Sequence, residues 1–367
     1  MVEWKKLGEI GKCMAGATPS TKESSYWDNG TIPWMSSGEV HQGVVKSTSA
    51  LITQKGYDNS STKMLPSGTV VIALAGQGKT RGTVAITAIE LCTNQSLCGV
   101  VIDNDSIINK YVYFYLKTRY DDLRRISSGE GTRGGLNLKM IGSYLIPVPS
   151  LSEQKRIVGI LDTFTSSIEN LKEQIALRRK QYEYYRDQLL DLEGKDGTEM
   201  KIADFCLLKA GKSISSEDIT ENESDNSYPC IGGNGKRGYV SYFSHEGAYP
   251  IIGRQGALCG CVNWITGKFY ATEHAVVAKG SAFMDQRFLF YLFENANLNQ
   301  YKTQGAQPGL SVAKLNEVRF IIPPLAEQQR IVGILDVFEE SIQNLEAQLA
   351  GREKQYEYYR NKLLTFE

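Results

Sequence analysis

Histidine is nearly absent from this chain: His41, His245 and His274 are the only three among 367 residues. None stands in a motif with a nucleophile, so no Ser-His-Asp arrangement for acyl transfer is present. Long apolar runs are missing too. The densest is 69–75 (TVVIALA), far short of the roughly 18 residues of a membrane span. The opening MVEWKKLGEI has no apolar signal core. Cysteine is odd in number, seven, without paired spacing, which argues for a reduced, cytoplasmic protein rather than a disulfide framework. Cys259 and Cys261 form a C-x-C with His274 thirteen residues later. A closed zinc site needs four ligands, and no second pair follows, so these read as buried thiols with no metal. There is no net charge either, with 41 Lys+Arg against 41 Asp+Glu. The chain therefore lacks the overall basic balance of many nucleic-acid binders. The regional balance is more informative: 16 basic against 12 acidic residues in 1–150, 7 against 8 in 151–193, 13 against 13 in 194–325, and 5 against 8 in 326–367. Any DNA contact falls to local patches on the first and third segments.

What the chain has is a repeat. Residues 153–193 align without a gap on 327–367 at an offset of 174, with 27 of 41 positions identical. A period this long is no solenoid; it implies two similar halves in one polypeptide, a pseudo-two-fold object. In each copy the apolar residues step by four and three, a seam of about five heptads. The first seam includes Ile157, Leu161, Phe164, Ile168, Arg178, Tyr182 and Tyr185; the second includes Ile331, Leu335, Phe338, Ile342, Arg352, Tyr356 and Tyr359. Each predicts a helix of about 53 Å that is unstable alone in water with its seam exposed, so each helix should bury its seam against the other. Arg178 and Arg352 interrupt both seams at the same place. A snorkelling side chain or a register-setting charge would account for them, and a paired carboxylate, from the coil or from a partner, is the expectation.

Globular segments of mixed α and β character precede each helix. Strands are expected at 69–74, 82–87, 99–102, 249–252 and 274–278, and short helices at 110–119 (KYVYFYLKTR) and 286–294 (QRFLFYLFE). The halves align weakly: Gly16 with Gly211, Thr93-Asn94-Gln95 with Thr272-Glu273-His274, Phe114-Tyr115-Leu116 with Phe290-Tyr291-Leu292. A hinge is expected at 193–198. Between these anchors lie divergent loops that combine glycine, for close backbone approach, with polar donors suited to bases and phosphates. They are 76–82 (GQGKTRG), 127–137 (SSGEGTRGGLN), 232–238 (GGNGKRG), 253–256 (GRQG) and 303–307 (TQGAQ). Candidate DNA contacts are Gln77, Lys79, Thr80, Arg81, Arg133, Asn137, Asn234, Lys236, Arg237, Arg254, Gln255, Gln304 and Gln307. The stretch 73–80 (ALAGQGKT) loosely fits a phosphate-binding loop, but that motif must open a helix; the β-branched RGTVAITAI that follows predicts a strand. No methyltransferase, nuclease or helicase signature stands out, so the chain carries no catalytic chemistry of its own. A coiled-coil adaptor without DNA contact is the other alternative, and it leaves two divergent loop sets on one frame unexplained.

The phrase P-x-L-x-E-Q-[KQ]-R-I-V-G-I-L-D occurs at 149–162 and again at 323–336, and the segment openings EWKKLGEI (3–10) and EMKIADF (199–205) match in kind. With these features the whole chain resembles the specificity subunits of type I restriction–modification systems. The resemblance implies an α+β fold. Two pseudo-symmetric mixed α/β target-recognition domains (1–150 and 194–325) would be joined by two long antiparallel coiled-coil helices (151–193 and 326–367). It also implies that each domain reads one half of a split asymmetric DNA site, with the helices setting the spacer. Two modification subunits would bring S-adenosylmethionine, and restriction subunits would bring ATP-dependent cleavage.

Overall fold

The computed structural model describes residues 2–76, 78–127, 135–256, 258–303 and 309–366. Two long helices, Leu151–Leu190 and Leu325–Leu363, occupy the repeated segments. The chain divides into two compact units that are not contiguous in sequence. One is Met1–Asn170 with Leu349–Glu367, the other Leu171–Gln348. Each contains the opening of one long helix and the close of the other. In the first unit Ile157 and Leu161 are buried with Leu364, Tyr356 and Phe366. In the second, Ile331 and Leu335 are buried with Leu190, Tyr182 and Leu189. Start packs against end in both, so the helices run antiparallel and each covers the apolar seam of the other.

In the first unit a five-stranded sheet has the order Gly11–Ala15, Leu97–Ile102, Val70–Ala73, Val84–Thr87, Val44–Val45. A three-stranded sheet places Ile32–Met35 antiparallel to Ala50–Ile52 and parallel to Cys92–Thr93. The second unit has one six-stranded sheet, Cys206–Ala210, Ala275–Gly280, His245–Gly253, Val262–Ala271, Tyr228–Gly232, Gly235–Val240. In both units the opening strand pairs antiparallel with the strand that leads into a long helix: Glu3–Lys6 with Leu145–Val148, and Thr198–Lys201 with Arg319–Ile322. The helices Asn109–Lys117 and Gln286–Asn295 carry runs of buried residues, Tyr111 to Leu116 and Phe288 to Phe293. Each packs with sheet residues and with the long helix in a single core, which is why they are apolar all round.

The repeated Glu-Gln pair anchors each long helix. Gln154 and Gln328 are 0 and 1 % exposed. Gln154 Nε2 donates to Ser106 O and Pro149 O, and its Oε1 accepts from Ile108 N. Gln328 Nε2 donates to Phe283 O and Pro323 O, and its Oε1 accepts from Asp285 N. One amide side chain thereby satisfies three backbone groups at the domain–helix joint, one of them fully buried. Ile108 and Asp285 are thus equivalent, which makes Phe114 the counterpart of Tyr291. The expected match to Phe290 is one residue out of register. Beyond this joint the units differ. Arg287 donates to Asp336 and Glu339 and lies 4.8–5.0 Å from the rings of Trp264, Phe290 and Tyr291. Its counterpart Lys110 has one partner, Asp162, at 2.7 Å. Ile86 stands where the second unit has Trp264, and a cleft of about 630 Å3 opens beside it.

Candidate nucleic-acid interface

Among the described residues, backbone hydrogen bonds draw together the segments that flank the Gly-rich loops in each unit. In the first unit the loop between Val70–Ala73 and Val84–Thr87 is closed by Ala73 N to Thr83 O (3.0 Å) and Gly82 N to Ala73 O (2.9 Å). Leu74 N donates to Ser96 O, Leu136 N to Leu74 O, and Asn94 N to Met35 O, at 2.8, 2.8 and 3.1 Å. These bonds bring the loops after residues 35, 74, 94 and 135 to one end of the sheets. The second unit repeats the lattice: Gly253 N to Cys261 O, Gly260 N to Gly253 O, Arg254 N to His274 O, Leu310 N to Arg254 O, and Thr272 N to Ile231 O, at 2.8–3.0 Å. Close approach fixes a further contact. A Cβ on Gly16 would lie 1.8 Å from Thr93 O, and one on Gly211 2.0 Å from Ala271 O. Thr93 is therefore equivalent to Ala271, and Asn94 to Thr272. The sequence alignment of TNQ with TEH is also displaced by one residue.

The candidate contact residues fall on this lattice in different ways. Lys79 is exposed, and Thr80 Oγ1 lies 3.3 Å from His41 Nε2. Arg81 corrects the expectation of a surface contact. It is 6 % exposed and engaged within the protein, because the chain turns inward there to enter the strand Val84–Thr87. Asn137 is a helix cap. Its side chain accepts from Met140 N at 2.9 Å and so closes the first turn of Leu138–Ser143. Asn234, Lys236 and Arg237 are exposed at the Tyr228–Gly232/Gly235–Val240 turn. Lys236 Nζ donates to Tyr239 OH (2.8 Å), 4.5 Å from the ring centroid, and Tyr239 OH donates to Glu223. That bond holds the ammonium above the ordinary lysine range. Arg254 is half-buried, with its main chain inside the lattice, and Gln255 is exposed and bridges to Gly309. Gln77, Arg133, Gln304 and Gln307 lie outside the described residues. Sequence reasoning missed Tyr120 and Arg124, which hold the 78–82 loop, and Thr18, whose hydroxyl donates to Gln95 at 2.6 Å.

Among the described residues no group of three His, Cys, Asp or Glu could hold a metal. A strand, not a helix, follows Gly82, so the 73–80 stretch is no phosphate-binding loop. No helix among the described residues is long and apolar enough to cross a membrane.

The coil seam shows the same internal repetition. Phe164 stacks on Tyr359 (5.4 Å, 25°) and Phe338 on Tyr185 (5.3 Å, 28°). Arg352 lies 5.7 Å from the Phe164 ring and Arg178 5.8 Å from the Phe338 ring. Among the described residues neither is paired with a carboxylate of the coil, and Arg352 donates instead to Gln355 at 3.1 Å. The antiparallel pairing sets a ring face opposite each guanidinium. Neither residue is fully buried in the chain.

Comparison with known proteins supports the same architecture. The family model described as "Type I restriction modification DNA specificity domain" matches residues 1–178 and again 194–351. The EcoprrI type I restriction enzyme specificity subunit of Escherichia coli is 33% identical over 358 residues, covering 92% of this chain and 88% of that one. The MjaIX specificity subunit of Methanocaldococcus jannaschii is 25% identical over 387 residues, covering 94% and 88%. A crystal structure of a type I restriction-modification S subunit from M. genitalium superposes with a TM-score of 0.70 at 16% identity, over 100% of this chain and 97% of the other. With the family model matched twice, once in each globular segment and the helix that follows it, the chain belongs to the type I restriction–modification DNA specificity family.

Proposed function

We propose that this chain is the sequence-reading subunit of a type I restriction–modification complex and that each unit reads one half of a split, asymmetric DNA site. One observation carries the reading: a single backbone lattice, repeated bond for bond, presents two unrelated sets of loop side chains. A frame kept constant while its tips diverge is what two different base sequences require. The antiparallel helices act as the ruler for the unread spacer. At 40 and 39 residues they measure about 60 Å, compared with about 34 Å for one turn of B-DNA. Two modification subunits dock on the helices, where the exposed pairs Tyr184/Tyr185 and Tyr358/Tyr359 offer aromatic anchors. Those subunits supply S-adenosylmethionine and accept the target base, and restriction subunits supply ATP-driven cleavage. The chain contributes recognition and no chemistry, and works in the cytoplasm.

Methylome sequencing of cells with and without the gene tests this directly. A bipartite methylated motif should disappear with the gene. Exchange of residues 1–150 for those of a relative should then alter one half-site and leave the other. A motif in which both halves change, or neither, contradicts the reading. Inserting four residues near Asn170 adds about 6 Å of helix and should lengthen the spacer by one or two base pairs. An unchanged spacer in an active complex rejects the ruler.

A further inference from the structure

The loop 78–82 in the first unit is held from beneath by two side chains of one short helix, Tyr120–Ile126. Arg124 Nη1 donates to Gly78 O at 2.9 Å and to Arg81 O at 3.4 Å, and to Tyr120 OH at 3.1 Å. Tyr120 OH in turn donates to Lys79 O at 3.0 Å, and the guanidinium lies 5.4 Å from the Tyr120 ring. Three carbonyls of a five-residue loop are thereby bonded by a pair of side chains that also bond each other. Gly82, at φ +82°, lets the chain pass over Arg124: a Cβ there would sit 3.3 Å from Arg124 Cγ and 3.3 Å from Tyr120 O. With its backbone tied inward, the loop presents Lys79 to solvent and Thr80 to His41. The second unit holds its equivalent loop differently: the backbone at Asn299 closes on Gly260.

We propose that Arg124 and Tyr120 are positioning residues for sequence discrimination by the first unit, fixing the loop before DNA arrives. This rests on the reading that the loop meets DNA. Arg124 Nη1 bonds the loop's own carbonyls and the Tyr120 hydroxyl, so its effect passes through the geometry of Lys79 and Thr80. A preorganised loop loses little freedom on binding, and a slack one loses more and tolerates wrong bases.

The test uses the assembled methyltransferase and duplexes carrying the methylated motif, with single base changes in either half-site and at several salt concentrations. Arg124→Ala should lower discrimination by roughly tenfold at the half-site assigned to residues 1–150. Discrimination at the other half-site and the salt slope should stay unchanged. Tyr120→Phe, which removes one hydroxyl, should give a smaller loss at the same half-site and serves if the alanine variant fails to fold. Arg124→Lys, which keeps the charge but not the fork, should recover part of the loss. Equal weakening at both half-sites with a flatter salt slope would mark Arg124 as a phosphate contact and overturn the proposal, as would unchanged discrimination in all three variants. A wild-type complex that shows no sequence preference overturns the parent reading instead.

Discussion

Arg287→Ala is the most severe single truncation that the joint between a reader domain and its helix predicts. The side chain is 19% exposed, and its partners Asp336 and Glu339 are 38% and 24% exposed. Nε donates to Asp336 Oδ1 at 2.9 Å, Nη2 donates to Glu339 and to Tyr291 OH, and Tyr291 OH donates to Asp336 at 2.6 Å. Removal strands the Glu339 carboxylate, leaves Asp336 with the Tyr291 hydroxyl, and takes away a stacked cation. Breaking a fully buried pair costs about 3–5 kcal/mol; partial exposure reduces that to about 2–4 kcal/mol. In the first unit Lys110 is 52% exposed and has one partner, so Lys110→Ala should cost less than about 1 kcal/mol. Hydrogen exchange resolves the two sites within one protein. Amides of Gln286–Asn295 should exchange roughly 30- to 1,000-fold faster in Arg287→Ala, since each 1.4 kcal/mol is about tenfold. Amides of Asn109–Lys117 should move less than about fivefold in Lys110→Ala. If the two helices respond equally, or Gln286–Asn295 stays within threefold of wild type, the reasoning fails.

Gln154→Ala and Gln328→Ala each leave three backbone groups unpaired, one of them fully buried, and should lower stability by about 2–3 kcal/mol, a Tm fall of roughly 5–10 °C; Lys155→Ala beside the first should leave Tm unchanged, and equal effects would reject the anchor. Cys261 is exposed and Cys13 half-buried, while the other five thiols are buried. Burial pushes the Cys206 thiol up to about 12, so iodoacetamide at neutral pH should label Cys261 ahead of Cys206. Cognate DNA in the assembled complex should slow Cys261 labelling, and an unaffected rate would place the 253–261 loop away from DNA. Replacing both Arg178 and Arg352 with Leu exchanges two ring contacts worth about 0.5–1 kcal/mol each for a continuous apolar seam. Tm should stay within a few degrees and assembly should persist; loss of assembly would restore a docking role for the arginines.

The helices were legible because period and identity reinforce each other: two copies of one phrase, each on a heptad. The domain helices and the main strands were legible from local pattern. The pairing of the halves was less so. TNQ resembles TEH more than it resembles ATE, yet the hydrogen bond of Asn94 N to Met35 O matches that of Thr272 N to Ile231 O. Side-chain likeness and backbone equivalence differ there by one residue. Asn137 before the apolar Leu138 is a helix-start signal, a role that its place at the end of a Gly-rich loop conceals. Gln154 and Gln328 escape a heptad reading because it follows apolar residues, and two of the three backbone groups each one bonds are distant in sequence. Arg81 looked exposed because glycines and polar residues surround it, and only the path of the chain into the next strand shows that it is buried.

That residues 349–367 complete the first unit sets an order of events at the ribosome. Ile157 and Leu161 emerge long before Leu364 and Phe366, their partners in the same core. The gap from residue 170 to 349 is 179 residues, roughly 10–35 s of synthesis at about 5–20 residues per second. Throughout that interval the first seam has no mate, and such a long-range closure is slow once its mate arrives. A chain that stops early therefore keeps the apolar residues Ile157 and Leu161 without their partners. The first unit is therefore complete only after the second has been synthesised.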